Sequence, residues 1–349
     1  MSSDLRPLRP SAQMFMPMDF NGFLDWSRAV SRTVPNVKRL CETRIARAFE
    51  RIRPKVDVPA SFATVHRCDL ARQWCQARGV PSGRAATTLI CEGVRHGLRL
   101  IFETLARSRM RVAIPDDVYP VYWRIASETA VEAIGVATFP RFDLENIFRA
   151  CDNSRTSVLF LPAPLKLHGR HWTESETEQA QAWLREDRHR RLILDGVYSF
   201  GLPMNALTRS LVETEQVIYL DSLSKGWLHE LVLGVAIVPE RDFGTYVDTF
   251  RDVRLPQEKL FFGRRLLSDF PGFPLQLSGE IDRRREALLN LVRGPGLRAL
   301  PAEQGYLVAI ESGVSKLLDE HRLLTVPATA FGSKSLQWSV ASALPSEHP

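Results

Sequence analysis

Val217-Ile218-Tyr219-Leu220-Asp221-Ser222-Leu223-Ser224-Lys225-Gly226-Trp227 is a greasy β-type run that breaks off into two serines and a lysine. Lysine is scarce in this chain, seven of its 46 basic residues. Arginine supplies fixed charge, whereas a lysine amine can give up its proton and, once neutral, form an imine with a carbonyl. A lysine set just where a buried strand runs out is a candidate for that chemistry. Read alone, a lone lysine is also a solvated one.

Working outward, short apolar runs alternate with helical patterns. Residues 69–79 read as a helix closed by Gly79, 87–93 as a strand entering a glycine turn, and 94–107 as a helix with apolar residues at helical spacing. Strands follow at 111–115, 134–139, 156–162, 191–195, 216–221 and 232–239, with helices at 121–133 and 175–187 between them. Continuously apolar strands alternating with helices predict an α/β fold: a mostly parallel sheet with helices on both faces. Beyond 240 the texture turns helical, and a smaller α+β part carries candidate strands at 306–310 and 335–340. Residues 1–60 are broken by Pro7, Pro10, Pro17, Pro35, Pro54 and Pro59 and read as short helical pieces. The expected division is an N-terminal segment at 1–60 that contributes to the small domain, a large domain at 61–240 and a C-terminal small domain at 241–349.

The composition is that of an ordinary globular protein, 44% apolar and 25% charged. The net charge of +6 is spread among 40 acids, so a basic enzyme surface is expected and no nucleic-acid partner. No apolar run approaches a membrane span, and M-S-S-D-L-R-P-L-R-P lacks the apolar stretch of a secretory signal, which points to the cytoplasm. Five cysteines without a C-x-x-C predict free thiols and no metal site. Gly294-Pro295-Gly296-Leu297-Arg298-Ala299 fits a dinucleotide pattern but follows a helix, so it is set aside. His168, His171 and His189 read as solvated. His229 and Glu230 read as a loop or as pocket lining.

In parallel sheets the ligand sits beyond the carboxyl ends of the strands. The residues to watch are therefore Gly93, Pro115, Pro162, Asp195 and the 221–225 turn. Asp195 follows R-L-I-L and could face a buried cation or simply cap a turn. Tyr198, three residues on, could reach the same ligand or pack in the core.

D-G-V-Y from Asp195 to Tyr198, then S-L-S-K from Ser222 to Lys225, then L-G-V-A-I-V-P-E together resemble the fold-type-I pyridoxal-phosphate enzymes of the class I/II aminotransferase family. The likeness runs in order over roughly residues 69–341. It implies that Lys225 forms a Schiff base with pyridoxal 5'-phosphate, that Asp195 pairs with the pyridinium nitrogen, and that Tyr198 binds the ring's phenolate oxygen. Ser222 and Ser224 become phosphate donors. I-C-E-G-V-R-H-G-L resembles the family's glycine turn, placing Gly93, Val94 and Arg95 at the phosphate by way of a helix N-terminus. Without the other motifs it is equally a plain strand-to-helix turn. In V-A-I-P-D-D-V-Y-P-V-Y, Tyr119 takes the place of the ring-stacking tyrosine, with Asp117 replacing the usual proline.

The chain departs from the pattern in three places. Val232 or Leu233 stands where the family has a phosphate-clamping arginine, and Arg95 could supply that charge or be a surface residue. Leu161-Pro162-Ala163-Pro164-Leu165-Lys166-Leu167-His168-Gly169 lacks the asparagine that donates to the ring oxygen. Gln337 stands where an arginine would take the substrate's carboxylate, with Arg170 a conceivable replacement. The resemblance thus implies a homodimeric biosynthetic transferase acting on an amine or amino acid, with amino transfer the first expectation. A different reaction of the same cofactor (elimination, replacement, cyclisation or decarboxylation) and a non-catalytic regulatory descendant are the alternatives.

Overall fold

The structure is a computed structural model describing residues 20–118, 120–229 and 233–344. Tyr119, Glu230 and Val232 lie outside the described residues. The chain begins with α1 (Phe20–Thr33), the short strand β1 (Lys38–Arg39) and a single turn, α2 (Ile45–Ala48). α1 is longer than the broken pieces expected of residues 1–60. The reason is visible in the sequence: nothing between Pro17 and Pro35 stops a helix, and Phe23, Ser27 and Val30 recur at helical spacing and are buried.

Next come α3 (Arg67–Arg78), β2 (Thr88–Cys91), α4 (Val94–Arg107), β3 (Val112–Pro115), α5 (Val121–Glu128), β4 (Ala133–Val136), α6 (Leu144–Asn153), β5 (Val158–Pro162), α7 (Glu174–Glu186), β6 (Arg191–Asp195), α8 (Ala206–Val212), β7 (Val217–Ser222), α9 (Leu223–Gly226) and β8 (Gly234–Ile237). The strands of this part form one seven-stranded sheet in the order β2-β8-β7-β6-β5-β3-β4. β8 pairs antiparallel with both neighbours, and the remaining strands share one direction. The expected mostly parallel α/β sheet is therefore present. Its middle is buried throughout: Val158 to Leu161, Leu192 to Leu194 and Val217 to Leu220 have almost no exposed surface. That is why these runs are apolar at every position rather than every second one. Fully burying each such side chain contributes about 1.5–3 kcal/mol.

After β8 the chain turns helical through α10 (Phe243–Arg251), α11 (Gln257–Asp269) and α12 (Phe273–Arg293). It ends in β9 (Leu307–Ile310), α13 (Val314–His321), β10 (Leu323–Leu324), β11 (Val326–Pro327) and β12 (Ser339–Ser342). β11, β12 and β9 make a three-stranded antiparallel sheet. β1 pairs parallel with β10, Lys38 opposite Leu323, which ties the N-terminal segment to the C-terminal one. The closing strand starts at Ser339 rather than Ser335, because Leu336 and Gln337 form an exposed turn whose approach is pinned by Ser335 N donating to Ser333 Oγ at 3.1 Å.

The sheet and α4 meet through two glycines. Gly93, with φ +125°, precedes the first turn of α4, and a Cβ on Gly234 of β8 would lie 2.4 Å from the Gly93 carbonyl carbon. Backbone packs directly on backbone there, so only glycine fits without moving the turn. Gly234→Ala is expected to cost about 1–3 kcal/mol. Denaturant unfolding monitored by circular dichroism checks it, and an unchanged midpoint would refute the close-approach argument.

Candidate active site

The carboxyl ends of the parallel strands converge on one cavity of about 790 Å³. Gly93, Val94, Arg95, Tyr198, Ser222, Ser224 and Lys225, all singled out from the sequence, line it. Asp195, the last residue of β6, is buried and lines a small adjoining pocket together with Tyr122, Lys166 and Tyr198. The outer wall is the segment Thr43–Arg53, and Tyr306 and Phe331 close the side facing the C-terminal sheet.

Lys225 is delivered by the end of β7. Ser222 caps α9, its Oγ accepting from Ser224 N at 3.1 Å and sharing a hydrogen bond with Ser224 Oγ at 2.7 Å. Trp227 anchors the far side of the turn: it is buried and its indole N–H donates to the Phe270 carbonyl at 3.0 Å. Between these fixed points the Lys225 amine stands 3.7 Å from the centre of the Tyr198 ring. Burial pushes the amine down to about 8 from the usual 10.5; Asp195 opposes this and Arg95 adds to it. At pH 7 roughly a tenth of such an amine is neutral, against a few parts in ten thousand for an ordinary lysine.

Asp195 answers that amine. Its Oδ2 accepts from the Tyr122 hydroxyl at 2.5 Å and its Oδ1 from the Val197 N–H at 3.1 Å. Burial raises the Asp195 carboxyl, while these donors and the two lysines Lys225 and Lys166 hold it down. Tyr198 offers its ring face to the amines, and its hydroxyl lies 3.5 Å from that of Tyr306, which in turn donates to the Thr43 carbonyl at 3.0 Å.

Beneath the floor lies a buried clamp. Arg78 of α3 donates from Nε to Asp221 Oδ2 at 2.9 Å and from Nη2 to Ser199 Oγ at 2.6 Å. Asp221 also accepts from the Ser222 N–H at 2.7 Å, and Ser199 donates to the Gly196 carbonyl at 2.5 Å. One guanidinium thus locks the turn carrying Tyr198 to the strand end carrying Lys225. Removing either charged partner would leave the other buried and uncompensated, which typically costs several kcal/mol.

The residues weighed as substitutes for missing arginines fall apart from one another. Arg95 is on the cavity wall and its charge reaches Lys225. Leu233 is buried apolar packing. Gln337 sits in its exposed turn, and Arg170 forks onto Glu176 with bonds of 2.7 and 2.8 Å. Asp117 is buried and ties down Thr138. His168 is buried with Nε2 2.8 Å from the Thr138 carbonyl, a correction to its reading as solvated, since the loop after β5 folds inward and carries it along. His229 packs on Phe262 with ring centres 4.0 Å apart. Sequence reasoning missed Tyr122 and Lys166. Tyr122 is the second tyrosine of the motif that yielded Tyr119, and Lys166 was overlooked as part of a degenerate loop although lysine is rare in this chain.

An anionic cofactor suits this donor set. α4 opens on Gly93, which has no side chain to cap the first turn, and that turn faces the cavity beside Arg95, Ser222 and Ser224. A depressed amine and a buried carboxylate stand on the neighbouring floor. These residues fit pyridoxal 5'-phosphate. Among the described residues no group of three or more metal-ligating side chains occurs, and no helix is long and apolar enough to cross a membrane.

The fold is that of the aminotransferases. No protein-family model matches the sequence, and no curated protein matches it significantly. Solved structures do. An aminotransferase from Mycobacterium tuberculosis is 19% identical, covering 97% of this chain and 95% of its own, with a TM-score of 0.72. A double mutant of Thermus thermophilus aspartate aminotransferase is 18% identical over 98% and 96%, with a TM-score of 0.71. An Escherichia coli protein with a methionine aminotransferase function is 15% identical over 98% and 97%, also at 0.71. At such identities the likeness establishes the architecture.

The electrostatics give a direct expectation. Amine labelling across a pH series, mapped by peptide mass spectrometry, should show Lys225 reacting with a midpoint near pH 8, because the neutral amine is the reactive form. Asp195→Asn removes the charge that raises it, so the midpoint should move to lower pH. A midpoint near 10 in the unaltered protein would contradict the buried environment.

Proposed function

We propose that this chain is a pyridoxal-phosphate-dependent enzyme that acts on an amino acid or amine and transfers its amino group. The observation that carries the reading is the Lys225 amine, desolvated at the end of β7 and set opposite a buried Asp195. The aminotransferase architecture supports it.

When bound, the cofactor supplies an aldehyde for covalent attachment and a protonated ring that withdraws electrons. Lys225 is the attachment amine. Asp195, oriented by Tyr122 and the Val197 N–H, is the anion for the ring nitrogen. The start of α4 with Arg95, Ser222 and Ser224 would hold the phosphate, and Tyr198 would serve the ring oxygen. Tyr119 belongs to this reading as the stacking ring. The Lys225 amine, depressed toward neutrality, would be suited to hold a proton at the substrate carbon and return it elsewhere. The Arg78 clamp keeps Tyr198 and Lys225 in one register during these exchanges. Pairing of two copies around their sites and a place in the cytoplasm complete the reading.

A second reaction class remains in play on one observation: Gln337 is exposed in a turn and Arg170 is held by Glu176. A site lined by neither residue is compatible with elimination, replacement, cyclisation or decarboxylation of the substrate.

The test is chemical. Incubation with pyridoxal 5'-phosphate, borohydride reduction and digestion should place the pyridoxyl adduct on Lys225, with Lys225→Ala giving no adduct and no visible absorption band. An unlabelled peptide around position 225 would end the proposal. Product analysis with an amine donor and a keto acid then divides the two classes: ammonia or carbon dioxide without keto-acid consumption defeats amino transfer.

A further inference from the structure

Lys166 is a second amine in the same cavity. It follows β5 in the loop Pro162-Ala163-Pro164-Leu165-Lys166, and its Nζ lies 4.7 Å from the centre of the Tyr198 ring and 5.2 Å from that of Phe331. The Tyr198 ring is therefore shared by two amines, Lys225 at 3.7 Å and Lys166 at 4.7 Å. Lys166 also lines both the main cavity and the small pocket over Asp195.

The position matters because of how an amino acid is built. Its carboxylate hangs from the carbon that bears the amine, so the cation that recognises it must stand close to the reacting lysine. Gln337 and Arg170 are not on the cavity wall. Of the cations that are, Arg44, Arg47 and Arg53 sit on the outer N-terminal wall, and Arg95 belongs to the first turn of α4. Lys166 is the cation that shares an aromatic ring with Lys225. It comes from the loop that lost the asparagine.

We propose that Lys166 is the specificity-determining cation of this site, binding the substrate's carboxylate and so selecting amino acids over simple amines. The proposal deepens the pyridoxal-phosphate reading and rests on it for the identity of the reacting group.

An ammonium in this place behaves unlike a guanidinium, which stays charged at any working pH. Burial and the charge of Lys225 push Lys166 down to about 7, with Asp195 pulling it back up. Asp117 and His168 line the adjoining pocket, Tyr122, Tyr198 and Tyr306 stand on this side of the main cavity, and Glu50, Glu92, Arg95 and the arginines of the outer wall line the rest of it. The carboxylate binds the charged amine. Its affinity should be greatest where Lys166 is charged and fall with rising pH as that charge is lost, and binding should draw a proton onto Lys166.

The experiment uses the full chain loaded with pyridoxal phosphate and reads the visible spectrum during titration with an amino acid and with the amine left by its decarboxylation; alanine and ethylamine open the series. Lys166→Met should weaken the amino-acid response by about 10- to 100-fold, the loss of a charge-assisted hydrogen bond, while the amine response stays within about twofold and certifies the fold. Lys166→Arg should restore the amino-acid response and abolish its decline with rising pH. Equal amino-acid responses in the unaltered protein and Lys166→Met would overturn the proposal, as would an unaltered protein that does not favour the amino acid. A cofactor-free readout separates this from failure of the parent reading. After reductive methylation with ¹³C-formaldehyde, the Lys166 methyl resonance should titrate near pH 7 and shift to higher pH when propionate is added. If pyridoxal phosphate produces no band, the Lys225 reading fails; a Lys166 midpoint indifferent to propionate overturns the present one.

Discussion

Two half-buried amines, Lys225 and Lys166, and the buried carboxylate of Asp195 gather around the Tyr198 ring where the main cavity adjoins a smaller pocket, and the arrangement of the rest follows from that crowding. Asp195 is the anion that both Lys225 and Lys166 feel, and each amine is depressed below its ordinary value because burial, together with a cation beside it (Arg95 for Lys225, Lys225 for Lys166), outweighs that carboxylate. In water these charges would be screened to insignificance; in a low-dielectric pocket they set protonation states near neutrality. The aromatic face of Tyr198 is what makes the crowding tolerable, since a ring quadrupole attracts a cation without requiring a counter-charge.

Such a constellation needs a rigid support, and the sheet provides it. β6 and β7 pair in register, Asp195 beside Leu220, so the carboxylate and the strand leading to Lys225 are fixed relative to each other by backbone hydrogen bonds. The Arg78–Asp221–Ser199 network then fixes the two turns that leave those strands. A buried ion pair is a weak source of stability, but it is a strong constraint on geometry, because every alternative arrangement leaves a charge unpaired. The outer wall is joined to the same floor by hydroxyls: Tyr198 to Tyr306, and Tyr306 to the Thr43 carbonyl. The segment before the main sheet therefore helps to shape the site, and β1 pairing with β10 fixes where it lies.

Much of this was legible in the residues. Unbroken apolar runs such as Val158 to Leu161 announced buried parallel strands, and strand-end positions pointed to Asp195, Gly93 and Lys225 before any geometry was known. What the sequence hid was long-range. Nothing local distinguishes Arg78, one arginine among many on a helix, as the fully buried partner of a residue 143 positions away. β8 reads like its parallel neighbours because both directions bury the same apolar face, so its antiparallel pairing with β7 had no signature. α1 was obscured by the prolines on either side of it. Lys166 was hidden differently, by attention to what its loop lacked rather than to what it held.

Lysine scarcity sets Lys166 apart. A chain that carries most of its positive charge on arginine keeps two of its seven lysines within one cavity, facing one ring. Arginine at 225 would be useless for covalent attachment, because a guanidinium does not lose its proton under these conditions. At 166 an arginine would bind an anion well but would stand as a permanent charge beside Lys225, depressing that amine whether or not substrate is present. A lysine there, pushed down to about 7, can lose its proton near neutrality, and a bound anion would favour the charged form. On the proposed reading, Lys166 changes its charge near neutrality where an arginine could not, so it adds to the fixed charge of Arg95 at Lys225 only while it holds its proton.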